Sequence, residues 1–528
     1  MSQHGADRDG PDSTSDAARI DPAFLALPLR EMARAALDRA RELGVEHADF
    51  RVERVRGQVI RLRDGRLDGV NETADAGLAV RVVHDGTWGF AAGAVHTPDA
   101  AARLAEQAVR VARVSRPVNS EPVVLAPEPS YGERVWVSDY QIDPFGVSDA
   151  EKIALLTQWS RRLLEAEGVD HVDASVYAVK ENKFYADTNN TVTTQQRVRL
   201  HPVVEAVSVD AEGRYGTPGA FESMRTIAPP VARGWEYLAG SAADGAWDWD
   251  GELAAIPALL AGKLAAPSVE PGEYDLVIDP SNLWLTIHES IGHATELDRA
   301  LGYEAAYAGT SFATLDQLGT LKYGSPAMNV TGDRTVANGL SSVGFDDEGV
   351  QAQRWDIVKD GVLVGYQLDR RMARLKGLNG GRSNGCGFAD SSGHVPIQRM
   401  ANVSLRPAPD GPSTEELISR VERGLYIVGD NSWSIDMQRY NFQFTGQRAF
   451  LIADGRLAGQ VRDFAYQATT TDFWGSMEAV GGPGTYVLGG AFNCGKGQPG
   501  QAAPVSHGTP SALFRGVRIL NTVREAGR

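Results

Sequence analysis

The chain has 528 residues and a net charge of −16. At roughly 100–200 residues per domain that leaves room for two to four folded units, and the acidic balance argues against nucleic acid or an anionic membrane surface as a main partner. Apolar residues make up 42% and charged residues 23%, an ordinary balance for a soluble globular protein, and no apolar run approaches the ~20 residues of a membrane-spanning helix.

The start, MSQHGADRDGPDSTSDAARID, is polar and lacks the basic start and apolar core of a secretory signal. Residues 1–22 read as a disordered tail and the chain as cytoplasmic. LREMARAALDRAREL (29–43) has helical spacing, with Gly44 as a stop. DFRVERV, QVIRLRDGRLDGV and GLAVRVVHDGTWGFA read as antiparallel strands, with Asp64-Gly65 and Asp85-Gly86 as hairpin turns. The arginines of this stretch read as a solvated strand face. A second helix starts at Thr97-Pro98, and a Pro-rich linker covers about 117–130. The order then recurs: a capped helix over 148–168, then strand-like residues 175–207. GVEHADF (44–50) matches GVDHVDA (168–174) at the two joints, so residues 23–265 read as a sheet-and-helix layer domain of two related helix-strand units.

After Pro267 and Pro271 the character changes. EYDLVID is a short strand, and Pro280 opens a helix from about 281 to 300 with Asp279 as cap. The remainder is mostly strands and Gly-rich turns, with one further helix at 412–424. The expected fold class is α+β, with residues 266–528 a β-rich domain around one buried helix. Asp346, Asp347 and Glu348 read as a solvated acidic turn.

That buried helix carries HESIGH, residues 288–293. It is close to H-E-x-x-H, which places two zinc ligands and a general base on one helix face. His288 and His293, however, stand five apart. At about 100° per residue, positions four apart differ by about 40° and positions five apart by about 140°. Two ligands of one metal cannot diverge that far, so a metal here demands a deformed helix. A π-bulge supplies the deformation, and Gly292 makes it easier. Glu289 sits where zinc proteases keep the general base. A hydrolytic zinc also needs a third protein ligand and an open place for water. Glu296, Asp298, His394, His507, Cys386 and Cys494 are candidates. Cys494 stands between glycines that let a strand end approach the helix, and His507 is its main rival.

HESIGH, the acidic VGFDDEGV (343–350), DGVLVGYQLDRRMARLKG (360–377), HVPIQRMAN (394–402) and NCGKGQPGQAAPVSHGTPSALF together resemble the TldD/PmbA family, and within it the metal-bearing TldD subunit. The resemblance runs over about residues 30–525. It implies a zinc-dependent peptidase with one zinc ion per active subunit, His288, His293 and Cys494 as ligands and Glu289 as catalytic acid/base. It also implies a heterodimer with a paralogous TldE/PmbA-like subunit and unfolded peptides bound as an added strand; a homo-oligomer is the other arrangement considered. Glu296 is a candidate to orient a ligand from behind, and His394 to hold a developing oxyanion. The tail and the segments 383–388 and 429–444 depart from the family pattern. The competing function is a non-catalytic assembly or regulatory module with a vestigial metal motif.

Overall fold

The structure is a computed structural model that describes residues 19–213, 219–497 and 499–525. Most of the expected tail lies outside the described residues. Its end, however, is packed: Ile20 is buried, and the Asp21 backbone N–H donates to Gln196 at 2.8 Å.

The first half is a mixed sheet with helices. Helix Leu29–Glu42 buries Met32, Ala36 and Ala40 on one stripe. Strands β1 (His47–Arg63), β2 (Arg66–His84) and β3 (Thr87–Gly93) follow. Asp64 and Gly65, then Asp85 and Gly86, all have positive φ, which suits the two-residue hairpin turns expected. The two segments 49–55 and 58–70 were expected as separate strands. The first runs straight into the second through Gly57, where a Cβ would meet Thr73 Oγ1 at 2.9 Å. Helix Pro98–Ser115 is capped by Thr97, and helix Asp149–Leu164 by Ser148. Strands β4 (Gly132–Val137), β5 (His171–Asp187), β6 (Thr191–Asp210) and β7 (Ala220–Arg225) complete the sheet. Its order is β3-β2-β1-β5-β6-β4, with β7 also on β6.

The two helix-hairpin units meet where β1 pairs antiparallel with β5, from Asp49 opposite Asp187 to Arg63 opposite Asp173. Each long strand therefore serves two cores. At one end, helices Leu29–Glu42 and Pro98–Ser115 cover Phe50, Val52, Leu78 and Phe184. At the other, helices Asp149–Leu164 and Trp249–Ala265 cover Ile60, Leu62, Val172 and Val204. Each large apolar side chain so buried contributes about 1.5–3 kcal/mol, so both ends of the hairpins are held.

The strand centres between the cores are charged and buried. Arg51 is only 2% exposed, which corrects the reading of a solvated arginine face at that position. Asp346, Asp347 and Glu348 are 2%, 6% and 3% exposed, so the acidic turn is not solvated either. Its partners come from the first half of the chain: Lys183 to Asp347 at 2.7 Å and Arg81 to Glu348 at 2.9 Å. Asp347 and Glu348 are tolerable there because each meets an opposite charge, whereas Asp346 accepts only backbone N–H groups, from Glu348, Val350 and Gly387, and burial pushes its carboxyl up to about 8.

In the second half, strand β8 (Gly272–Ile278) pairs in parallel with Arg423–Ile435 and antiparallel with Ala512–Asn521. The latter pairs with Phe464–Thr469, that with Asn441–Ala453, and that back onto Arg423–Ile435. The ring closes into a small barrel, with Arg456–Val461 attached outside the ring. The helix expected over 412–424 is shorter, Thr414–Ser419 with a Ser413–Glu416 capping box, because Arg423 onward is claimed by the barrel strand. Part of the stretch 480–500, read for its glycines as tight turns or places of close backbone approach, is a strand, Val487–Lys496, which pairs with Gln501–Thr509 in a two-stranded ribbon. Among the described residues no helix is long and apolar enough to cross a membrane.

Candidate metal centre

The chain leaves β8 at Asp279, whose side chain accepts the Ser281 N–H at 3.0 Å and caps helix Pro280–Ile287. The helix does not run on to 300 as a regular α-helix. From His288 to Gly292 it widens into one π turn, closed by the His293 N–H bonding back to the His288 carbonyl. A short 3₁₀ turn, His293–Thr295, follows. The extra residue turns positions five apart onto one face, and the two imidazole centroids stand 4.7 Å apart. Gly292 is required here for a second reason: a Cβ would meet Met400 Sδ at 2.6 Å.

Cys494 arrives from the ribbon. Between Ala491 and Cys494 the pairing with Gln501–Thr509 slips by one residue. Such a bulge bends a strand and re-aims the side chain that follows. Farther back, Gly489 lets the strand lie on Trp284 of the helix, since a Cβ there would sit 2.6 Å from the indole. Cys494 Sγ lies 3.3 Å from His288 Nε2 and 3.4 Å from His293 Nε2. All three donor atoms fall within 4.8 Å of one another, and all three residues are buried.

Each imidazole is oriented from behind. His507 Nδ1 donates to the Val403 carbonyl at 2.8 Å, which leaves its Nε2 as an acceptor. That Nε2 lies 2.7 Å from His288 Nδ1, so His288 carries its proton on Nδ1 and presents a bare Nε2 to the cysteine side. His293 Nδ1 faces Glu296 Oε2 at 2.9 Å and does the same. Glu296 is bound on its other oxygen by Lys496 at 3.1 Å. Burial alone would lift the Glu296 carboxyl, but Lys496, His293 and Arg399 hold it well below the usual range. Burial pushes both histidines down, His288 to about 4. Burial would also raise the Cys494 thiol, yet the His293 and Arg399 charges win and lower it. Arg399 donates to the Cys494 carbonyl at 2.8 Å.

Two bare imidazole nitrogens and a thiol disposed toward thiolate are a donor set suited to zinc. With Zn–N near 2.0–2.1 Å and Zn–S near 2.3 Å, a tetrahedral site has N···S edges of about 3.5 Å. The observed 3.3 and 3.4 Å fit that spacing.

The sequence candidates separate clearly. Glu296 stands behind His293. His507 stands behind His288 rather than beside the cysteine. Asp298 is bound by Lys496 at 2.8 Å. Cys386 is fully buried elsewhere, its thiol pushed up to about 12 by burial. His394 is not in this cavity: Asp390 grips its Nδ1 at 2.6 Å and Arg51 takes its carbonyl at 2.7 Å, which turns the loop toward the first sheet.

His288, Glu289, His293 and Cys494 line one cavity of about 490 Å³, with Trp284, Trp433, Phe492 and the ribbon edge as other walls. Glu289 is 6% exposed and its Oε2 accepts from Arg439 Nη1 at 2.5 Å. Arg439 lies 150 residues away, and sequence reasoning missed it. Its only signal was position inside the segment 429–444 that departs from the family pattern.

Residues 271–521 match the family model for the PmbA/TldA metallopeptidase C-terminal domain, and residues 48–112 match that for PmbA/TldA metallopeptidase domain 1. A metalloprotease of Methanothermobacter thermautotrophicus is 28% identical over 90% of this chain and 96% of its own length. A zinc metalloprotease TldD homolog of Saccharolobus solfataricus is 21% identical, covering 92% and 98%. Among solved structures, a putative modulator of DNA gyrase from Thermotoga maritima aligns with a TM-score of 0.71 at 18% identity, over 93% of this chain and 100% of that one. TldE from Thermococcus kodakarensis aligns with a TM-score of 0.66 at 17% identity, over 92% and 98%. At these identities the structural likeness speaks to the fold alone.

Proposed function

The chain belongs to the TldD/PmbA family of metallopeptidases, and we propose that it hydrolyses peptide bonds with one zinc ion held by His288, His293 and Cys494. What carries the reading is the convergence of those three donors with the Glu289 carboxylate on one cavity wall. Three protein ligands leave the fourth tetrahedral place for water or substrate.

Zinc, when bound, lowers the pKa of water toward neutrality and polarises a carbonyl. The protein does the rest. Glu289 has its Oε2 tied to Arg439, while its Oε1 has no partner among the described residues. That free oxygen is the base that takes a proton from the attacking water and gives it to the leaving amine. His507 and Glu296 hold the two imidazoles in the productive tautomer. The apolar walls of Trp284 and Phe492 exclude bulk water, which strengthens each polar contact inside.

The ribbon supports substrate binding by strand addition. Val487–Lys496 pairs on one side with Gln501–Thr509, and residues from Gly489 to Gly495 line the cavity on the way to the metal donors. An extended peptide added to that edge is gripped through its main chain with little demand on sequence. An unfolded segment can offer such a strand, and a packed domain cannot. Likeness to a TldE structure supports a paralogous partner subunit, with a homo-oligomer as the alternative assembly.

The test is to load the protein with zinc, offer an unstructured peptide library, and compare wild type with Glu289→Gln. Cleavage by wild type, with a folded, zinc-bearing and inactive variant, is the expected result. A folded wild type that takes up no zinc and cuts nothing belongs to the non-catalytic assembly or regulatory class instead.

A further inference from the structure

The cavity contains a cation that the chemistry above leaves half used. Arg439 occupies the turn between Arg423–Ile435 and Asn441–Ala453, with φ +64°. The turn is fixed: the Asp436 carboxylate accepts the N–H groups of Gln438, Tyr440 and Asn441, and Thr470 Oγ1 donates to the Arg439 carbonyl at 2.8 Å. The side chain is only 14% exposed, and it lines the cavity with the metal donors.

Its hydrogen bonding is incomplete. Nη1 donates to Glu289 Oε2, while buried Nε has no hydrogen-bond partner, and the guanidinium makes no other hydrogen bond among the described residues. Arginine paired with a carboxylate for structure alone commonly uses its planar fork, two parallel N–H···O bonds. Here one nitrogen holds the carboxylate and the remaining donors are left over, beside the general base. His394, the residue from which oxyanion stabilisation was expected, is elsewhere.

We propose that Arg439 is a catalytic residue, which fixes Glu289 with one arm and receives the oxygen of the scissile carbonyl with its remaining donors. The inference rests on the peptidase reading above. As the water oxygen bonds to the carbonyl carbon, the π pair of C=O moves onto oxygen, and Glu289 takes the proton released from water. The guanidinium keeps its own protons and stabilises the resulting alkoxide by charge-assisted hydrogen bonds. On collapse that pair re-forms C=O, the C–N bond breaks with its electrons going to nitrogen, and Glu289 returns the proton to the leaving amine.

The test uses Arg439→Met and Arg439→Lys in the zinc-loaded full chain on an unstructured peptide. Loss of one oxyanion donor typically costs about 10²–10³ in kcat. That loss is expected in Arg439→Met, with KM within about threefold of wild type and zinc content unchanged. Added guanidinium ion should restore part of the rate in Arg439→Met and none in Glu289→Gln. Arg439→Lys keeps the charge but not the fork, and should stay at least tenfold down. A second readout needs no activity: in metal-free protein, the melting-temperature losses of Arg439→Met and Glu289→Gln should be non-additive, since both break one pair. A raised KM with unchanged kcat, full activity in Arg439→Lys, or strictly additive melting losses each overturn the assignment. If melting losses are non-additive and zinc-loaded wild type cuts no peptide, the peptidase reading has failed, and the catalytic role falls with it.

Discussion

His507 Nε2 lies 2.7 Å from His288 Nδ1, and through the Val403 carbonyl this contact sets which nitrogen of His288 faces Cys494. His507 thus acts on the metal site from one residue behind it. Replacing it with phenylalanine keeps much of the volume but leaves the His288 N–H buried and unpaired. Zinc affinity should fall about 10–100-fold, as for other partners behind ligands, and the metal-free protein should lose about 1–3 kcal/mol. Competition with a chromophoric chelator and urea unfolding check the two effects. Unchanged affinity would mean the tautomer is set some other way.

Gly292 ends the π turn with Met400 Sδ in the space a Cβ would take, at 2.6 Å. Gly292→Ala forces Met400 to move or the turn to close back toward α. Overpacking of this kind costs about 1–3 kcal/mol. Because both histidines hang on that turn, zinc occupancy should fall along with stability. A stable variant with full zinc content would show that the turn tolerates what its geometry forbids.

Asp49 is 1% exposed and meets Arg81 at 2.7 Å. Burial alone would raise its carboxyl, but the Arg81 guanidinium, with His47 and Arg51, holds it at about 2. The folded value lies below the unfolded one near 3.9, so this stabilisation is present above pH ~4 and lost as pH falls through 2. Asp49→Asn should cost about 2–3 kcal/mol at pH 7. Urea denaturation of both proteins from pH 7 to pH 3 should show the gap constant to about 4 and then closing. A gap that widens on acidification would contradict the assignment.

The metal motif was legible because helix arithmetic is local: five-residue spacing demands one extra residue in the turn, and the π turn His288–Gly292 provides it. The paired helix-hairpin units were legible for the same reason, from capping residues and Asp-Gly turns. The ribbon carrying Cys494 was not. Gly489 and Gly490 signal turns by composition, yet here glycine thins a strand so that it can lie against Trp284 and Val505. Asp346–Glu348 looked solvated because their partners, Lys183 and Arg81, lie more than 160 residues away. Arg439 was hidden likewise, since only barrel closure brings its turn to Glu289.

X-ray absorption at the zinc edge tests the central claim most directly, on the zinc-loaded wild type and on Cys494→Ala. The expected first shell is two nitrogens near 2.0–2.1 Å, one sulfur near 2.3 Å and one further light atom, with the sulfur gone and zinc content reduced in the variant. A wild-type shell of nitrogen and oxygen alone, in a fully folded protein with one zinc per chain, would contradict the site described here.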